Sequence, residues 1–339
     1  MTAAAPCFSE AAAAEVLSRH FGVAGVVTPV ASERDQNFHV AATSGQQFVL
    51  KIANSAEDRG VTDLQNKALR HIGQSDPDFS VPRLYPALNG DDSISAVADD
   101  AREHVVRVLS WLEGASLQHA TGAHEVAAPL GRCLARLDLA LQDFEHPSSD
   151  YSLLWDIKRA SSLAGLLDNI GDASLRNTCA GLLQRFTKTI EPALRELRWQ
   201  VIHNDLNPSN VLVAADDAKV LAGVIDFGDV VRSPLIADVA VATAYLCHAT
   251  DEPFSDVIQF LAAYTQDLPL LQQEVELLGD LILMRKVLTV LIANWRAARY
   301  PDNRDYILRN EAKARATIMR IDALSRQSVA ELFLNACNN

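Results

Sequence analysis

Residues 201–229 carry the feature that most constrains this 339-residue chain. A short apolar run leads into His203-Asn204-Asp205, and Asn210 follows five residues after the aspartate. Two further apolar runs flank an acidic turn, which predicts a β-hairpin, and the second run ends at Asp226-Phe227-Gly228. A loop and a strand end that each carry a carboxylate are therefore expected to meet at one point.

Carboxylate and amide oxygens in this arrangement suit phosphoryl transfer, where catalysis rests on positioning and on neutralising the charge of the moving group. Asp205 would lie beside an acceptor hydroxyl as base or orienting group, while Asn210 and Asp226 would hold Mg²⁺ on the nucleotide phosphates. Each residue alone is more often a polar loop residue or a turn cap. Their agreement in order and at hairpin spacing favours the catalytic interpretation.

These motifs, His203–Asn210 and Ile225–Asp229, resemble the aminoglycoside phosphotransferase and choline kinase superfamily, and within it hydroxylysine kinase and its bacterial relatives. Supporting segments lie at 35–40, 49–52, 64–66 and 300–306. The resemblance implies an α+β, two-lobed protein-kinase-like fold. A small antiparallel-sheet lobe in residues 1–109 would bind the nucleotide, and a larger, mainly helical lobe in residues 110–339 would carry catalysis and the acceptor site.

The resemblance also implies an activity. The chain would be a Mg²⁺-dependent kinase that moves the γ-phosphoryl group of ATP or GTP to a hydroxyl of an amino acid or amino alcohol, with 5-hydroxylysine as first candidate. Homoserine, choline, ethanolamine and aminoglycosides are alternative acceptors. A nucleotide-binding pseudokinase that acts through partners is an alternative of another class, disfavoured because the base, the metal ligands and a lysine are all present.

The predicted nucleotide lobe departs from protein kinases at its first turn. Strands are predicted at 26–32, 37–43 and 47–52, and the turn between the first two has no glycine to cover the phosphates. Ser32, Arg34 and Asn37 are the candidate phosphate contacts there. Lys51 projects from its strand to the face opposite Leu50 and Ile52, and it matches the lysine that kinases place on the α- and β-phosphates.

A second departure concerns the partner of Lys51. The helix predicted at 61–72 contains no glutamate, so either Gln65, by a neutral hydrogen bond, or Asp63, by an ion pair, would support the lysine. Both remain open at this point. Residues 108–114 resemble the hinge between kinase lobes, where backbone groups around Leu109 and Trp111 would bind the nucleobase.

The acceptor site is predicted between Asp205 and the C-terminal helices. Asp229 would bind an ammonium group of a zwitterionic acceptor, and Arg285 would bind its carboxylate, because a charge inside so apolar a helix needs an anionic partner. The alternative for Arg285 is a salt bridge to Asp280 or Glu276 on the same helix. Asp238, in the helix that follows the catalytic segment, resembles a family residue that braces the catalytic loop.

Hydrophobic spacing predicts the remaining elements. A helix at 9–21 would be capped by Ser9, and a helix at 124–144 would carry a leucine stripe formed by Leu130, Leu134, Leu137 and Leu141. Strands are expected around 93–98 and 104–109. Further helices are expected at 152–169, 174–198, 254–265, 270–299 and 303–325.

Charge and cysteine content exclude several classes of function. The formal net charge of −13 argues against a nucleic-acid or anionic-membrane surface. The five cysteines lie far apart without a CxxC pair, which favours neither a disulfide framework nor a zinc site and suggests a reducing, cytoplasmic compartment. The apolar segment 277–295 is interrupted by three charges, so no membrane span is expected. The oligomeric state stays open.

Overall fold

The computed structural model describes residues 5–32, 34–98, 101–120 and 125–338. The chain divides into two compact units. The first unit comprises Met1–Gly114, His146–Ser149 and Ala222–Ile225. The second unit comprises Ala115–Glu145, Asp150–Leu221 and Asp226–Asn339.

The first unit is built on an antiparallel sheet with the strand order β1-β2-β3-β6-β4, and β5 also pairs with β6. The predicted strands of this unit are confirmed within one or two residues at their ends. Its elements, in chain order, are α1 (Glu10–Val16), β1 (Gly25–Val30), β2 (Gln36–Ala42), β3 (Gln47–Ile52), α2 (Arg59–Ser75), β4 (Leu84–Tyr85), β5 (Ile94–Val97) and β6 (Glu103–Ser110).

One face of this sheet forms the core of the unit. Alternate residues of β2 and β3 are fully buried on that face, among them Phe38 and Leu50. They belong to one apolar cluster with Leu17 and Phe21, which lie in a π-helical turn that continues α1. Helix α1 begins as predicted, because the hydroxyl of Ser9 accepts a hydrogen bond from the Ala12 amide at 3.1 Å.

The opposite face of the sheet carries polar side chains in register. Asn37 lies opposite Lys51, and Lys51 lies opposite Arg107, so these three residues form one row across β2, β3 and β6. Arg107 donates to the side chain of Asn66 at 2.7 Å and to that of Gln65, which places α2 on this same face. The sheet therefore has one apolar face and one polar face, and buried polar side chains of α2 lie on the polar face.

The second unit is mainly helical. Its leucine stripe on α3 is confirmed, since all four predicted leucines are buried, although the predicted start at residue 124 lies outside the described residues. Its elements are β7 (Ala115–Ser116), α3 (Ala127–Ala140), α4 (Ala173–Arg185), α5 (Glu191–Leu194), β8 (Trp199–Ile202), β9 (Val211–Val213), β10 (Leu221–Val224, which passes into the first unit), β11 (Val231–Pro234), α6 (Leu235–Leu246), α7 (Ser255–Asp267), α8 (Gln272–Arg299), α9 (Arg304–Leu308), α10 (Glu311–Asp322) and α11 (Arg326–Cys337).

Three predicted helices differ from the structure. The stretch predicted at 152–169 is a 3₁₀ helix, Ile157–Asn169, and the stretch at 174–198 is α4, a π-helical turn and α5. The helix predicted at 303–325 is two helices, α9 and α10, because the chain turns at Arg309 and Asn310. Helix α11 was not predicted.

The segment 201–229 begins and continues in short antiparallel strand pairs. Strand β8 pairs antiparallel with β11, with Ile202 opposite Val231, so the loop that starts at His203 leaves a fixed strand end. Strand β9 pairs with β7, and the predicted hairpin turn is closed by the Ala214 amide on the Val220 carbonyl at 2.9 Å. No helix within the described ranges is both long enough and apolar enough to cross a membrane.

Candidate active site

A buried carboxylate binds the backbone of the loop that follows β8. The two oxygens of Asp238, on α6, accept the amides of His203 at 2.9 Å and Asn204 at 2.8 Å. Asn204 has a left-handed backbone with φ of 64°, which asparagine tolerates better than most residues. The predicted bracing role of Asp238 is confirmed.

Asp205 is engaged through both oxygens. Oδ2 accepts the side-chain amides of Asn207 at 2.9 Å and Asn210 at 2.8 Å. Oδ1 accepts Nη2 of Arg285 at 2.9 Å. Since 21% of the Asp205 side chain stays exposed, the carboxylate is fixed in orientation and still reachable by an acceptor hydroxyl.

Arg285 is the cation of this site. It lies on α8 with only 2% of its surface exposed, donates Nη1 to the Trp155 carbonyl at 2.9 Å, and stacks on the Trp155 ring at 4.9 Å from the centroid. The alternative of a salt bridge on its own helix is wrong. Asp280 pairs instead with Arg185 and Arg326, and Glu276 accepts from a glutamine.

The surroundings of Asp205 shift the pKa of its carboxyl in both directions. Burial raises the pKa of its carboxyl, the nearby Arg285 charge lowers it, and the neighbouring carboxylate of Asp226 raises it again. Burial disfavours the charge on Arg285, yet Tyr245, Asp205 and Asp229 together leave the pKa of the guanidinium raised. The site thus combines a carboxylate able to accept a proton with a permanent cation.

The two candidate metal ligands present hard oxygen atoms. The side-chain NH₂ of Asn210 is directed at Asp205, which leaves the amide oxygen of Asn210 for a cation. Asp226 is exposed, has a left-handed φ of 63°, and is followed by Phe227, whose ring packs against His203 at 4.8 Å. A Cβ at Gly228 would lie 3.1 Å from Asp226 Oδ1, so glycine leaves room for this carboxylate. This donor set fits Mg²⁺.

The first unit brings the candidate nucleotide residues onto one sheet face. Asn37 and Lys51 are cross-strand neighbours, and Leu109, opposite Val49, follows on the same side two positions along. The Oδ1 atom of Asn37 is buried without a hydrogen-bond partner among the described residues. Ser32 is exposed and follows β1.

The two candidates for supporting Lys51 lie in different environments. Gln65 is 2% exposed and donates to Glu57 at 3.1 Å while accepting from Arg107. The side chain of Asp63 is 54% exposed and contacts His146 at 3.1 Å. Gln65 therefore lies on the polar face that carries Lys51, and Asp63 lies at the surface.

Several groups of the hinge-like segment, residues 108–114, already bind other groups of the first unit. The Trp111 amide donates to the Gln47 carbonyl at 3.1 Å, and the Trp111 ring packs against His39 at 4.5 Å between centroids. Leu109 is buried and pairs with both β3 and β4. The backbone amide of Trp111 is thus already satisfied by the sheet.

A family model described as "Phosphotransferase enzyme family" matches residues 26–273. The chain belongs to the phosphotransferase enzyme family. Hydroxylysine kinase of Mus musculus is 24% identical over 361 residues, covering 99% of this chain and 95% of that protein.

Two solved structures share the fold of this phosphotransferase. The amicoumacin kinase hAmiN, in complex with AMP-PNP, Ca²⁺ and Ami, has a TM-score of 0.65 and 14% identity, covering 89% of this chain and 91% of its own. Aminoglycoside 2'-phosphotransferase-IIIa, in complex with GDP, has a TM-score of 0.60 and 16% identity, covering 89% and 96%. These structures confirm the predicted kinase-like fold. The family model and the similarity to hydroxylysine kinase confirm the predicted phosphotransferase class.

Sequence reasoning missed two residues of the phosphotransferase's polar sheet face, Arg107 and Glu57. Arg107 interrupts an apolar run, residues 105–109, and this interruption was the available signal. Glu57 was not predicted because it lies before the Asp58 cap, outside the helix in which a partner of Lys51 was expected. Burial and the nearby Asp35 raise the pKa of Glu57, and Arg107 opposes this.

Proposed function

We propose that this phosphotransferase moves the γ-phosphoryl group of ATP or GTP to the hydroxyl of a zwitterionic amino acid, with 5-hydroxylysine as leading candidate. The observation that carries the proposal is the buried Arg285 guanidinium 2.9 Å from the Asp205 carboxylate. A cation beside the candidate base suits an acceptor that bears a carboxylate, which choline, ethanolamine and aminoglycosides lack. The near full-length similarity to hydroxylysine kinase supports the same choice.

Asp205 accepts or orients the proton of the acceptor hydroxyl, Asp229 binds an ammonium group, and Arg285 binds the acceptor carboxylate. Asn210 and Asp226 would hold Mg²⁺, whose charge would offset that of the phosphates. The acceptor hydroxyl is thereby held for in-line transfer, which is the main source of rate in this chemistry.

The first unit supplies the nucleotide site in the same proposal. Lys51 binds phosphate oxygens with support from Gln65, Ser32 and Asn37 contribute further polar contacts, and the segment at Leu109 and Trp111 receives the base. Because the two fold neighbours bind an adenine nucleotide analogue and GDP respectively, both ATP and GTP are to be tested as donors. The cysteines, which are all free, and the use of a nucleotide suit a cytoplasmic location.

A coupled assay of nucleotide consumption tests the acceptor. The panel contains 5-hydroxylysine, homoserine, choline, ethanolamine and an aminoglycoside, each with ATP and with GTP. The matched control acceptor is the diamine that differs from 5-hydroxylysine only by loss of its carboxylate. We expect 5-hydroxylysine to give the highest kcat/KM and the diamine to be a poor substrate. Equal use of the two compounds would contradict the assignment.

Two variants connect the assay to the site. Asp205→Asn is expected to keep nucleotide affinity while lowering turnover by about 10²–10⁴-fold, the usual contribution of acid–base catalysis. Arg285→Met is expected to reduce the ratio of kcat/KM between 5-hydroxylysine and the diamine. A variant that loses only thermal stability and keeps this ratio would make Arg285 a structural residue.

A further inference from the structure

Two carboxyl groups lie in contact beneath the catalytic loop. Asp138, on α3, and Asp238, on α6, are both fully buried, and their side chains are within hydrogen-bonding contact of each other. Asp238 uses both of its oxygens for the amides of His203 and Asn204. Asp238 therefore fixes the backbone of the loop that presents Asp205, and Asp138 contacts Asp238.

One of the two carboxyl oxygens of Asp138 accepts a hydrogen bond from a described residue. Its Oδ2 accepts the hydroxyl of Tyr264, on α7, at 2.7 Å. Its Oδ1 is buried, and no residue in the described part of the chain donates to it. A buried carboxylate oxygen without a donor is costly, but a protonated oxygen would itself be a donor to Asp238.

The charges that face the pair favour one shared proton. Arg198 is the cation that acts on Asp138, but Glu274 already binds it through two hydrogen bonds of 2.8 and 2.5 Å. His203 and two backbone amides act on the Asp238 side instead. Burial, followed by the charge of Asp238, raises the pKa of Asp138 well above its ordinary value.

We propose that Asp138 is a positioning residue of the phosphoryl-transfer reaction: its protonated carboxyl donates to Asp238, and Asp238 in turn fixes the two amides that place Asp205. Tyr264 completes the arrangement by donating to the other oxygen of Asp138. Loss of the shared proton would leave two adjacent buried anions and displace the loop. This proposal rests on the phosphotransferase activity and is independent of which acceptor is used.

Asp138→Asn tests the idea, because an asparagine amide can donate to Asp238 and accept from Tyr264 without a titratable proton. The assay is the pH profile of kcat with the best acceptor of the panel. We expect kcat of the wild type to decline at alkaline pH as the shared proton is lost, and we expect the variant to keep kcat within about threefold at neutral pH and to lack this decline. Asp138→Ala should lower kcat by about tenfold to a hundredfold with smaller changes in KM, as expected for a misplaced base.

A spectroscopic readout works without activity. The infrared absorption of protonated carboxylic acids should be weaker in Asp138→Asn than in the wild type by the contribution of one carboxyl, even if no acceptor is turned over. Asp280→Asn is the matched control, since it changes a buried aspartate that binds Arg185 and Arg326 and should leave the pH profile of kcat unchanged. An Asp138→Asn enzyme with the wild-type alkaline decline and an unchanged infrared absorption would overturn the proposal.

Discussion

The position of the Asp226 carboxylate depends on Gly228, which lies two residues further along the chain. A Cβ at Gly228 would approach Asp226 Oδ1 to 3.1 Å, closer than ordinary van der Waals contact. Gly228→Ala should therefore shift the carboxylate and raise the Mg²⁺ concentration for half-maximal activity by about tenfold, a typical cost of disturbing a ligand's surroundings. A magnesium titration at saturating nucleotide measures this.

Asp226→Ala and excess chelator are the controls that show complete loss of metal binding in that titration. Both should abolish activity if Asp226 holds the metal, whereas Gly228→Ala should recover at high Mg²⁺. Full activity in excess chelator would remove the metal from the proposed site altogether.

A second residue-scale prediction concerns the support of Lys51. Gln65 is buried and bonded to Arg107, the cross-strand neighbour of Lys51, whereas Asp63 points to the surface. Gln65→Ala should lower kcat/KM for the nucleotide by about tenfold, equivalent to about 1.4 kcal/mol, while Asp63→Ala should change little. The reverse ranking would assign the role to Asp63.

At the element scale, helix α8 is unusual because it buries charge along with its apolar residues. Lys286 is 7% exposed and lies over the Tyr245 ring at 5.3 Å from the centroid. Burial lowers the pKa of Lys286 to about 8 from 10.5. The unfolded chain thus binds a proton more readily than the folded one between these values, so the burial penalty is complete below pH 8 and is relieved as pH rises towards 10.5.

Lys286→Met should stabilise the protein at pH 7, because it removes a buried charge and keeps the apolar volume. Since one pKa unit corresponds to about 1.4 kcal/mol, the gain is at most about 3 kcal/mol, and it should shrink as pH rises to about 10. Urea unfolding at pH 7, 9 and 10 measures this. The exposed Lys188→Met is the control, expected within about 0.5 kcal/mol of wild type; a pH-independent effect at Lys286 would contradict the explanation.

Local and periodic features were predictable from the sequence, whereas contacts between residues far apart in the chain were not. Strand alternation and the leucine stripe were readable because they are local and periodic, and so was the 203–210 loop with its brace at Asp238. The partner of Arg285 was not readable, since Asp205 lies 80 positions away and equally plausible acids stood on the same helix. Glu57 and Asp138 were missed for a related reason: each acts through contacts that sequence spacing does not contain.

At the scale of the whole molecule, the chain leaves the second unit for four residues, 222–225, and returns at Asp226. Gly223 in this passage packs tightly within the first unit: a Cβ would lie 2.8 Å from the Ser80 carbonyl oxygen and 2.9 Å from Leu112 Cδ1. The next residue, Val224, donates its amide to the same Ser80 oxygen at 3.0 Å.

Gly223→Ala should therefore lower the free energy of unfolding by about 1–3 kcal/mol through overpacking. Gly181→Ala is the matched control, because Gly181 is an exposed residue of α4 with open space around its Cα. That change should stabilise by up to about 1 kcal/mol, since alanine favours the helix. Urea unfolding of both variants measures the difference, and equal effects would contradict the packing argument.

The hydrogen bonds of Asp205 also bear on regiochemistry. A carboxylate offers about four lone-pair directions, and the described residues fill three of them with donors from Asn207, Asn210 and Arg285. One direction is left, on Oδ1, so only one hydroxyl can be aligned at a time. A dihydroxylated amino acid should then yield a single phosphate ester by phosphorus NMR, and Arg285→Met should yield a mixture of the two positional isomers.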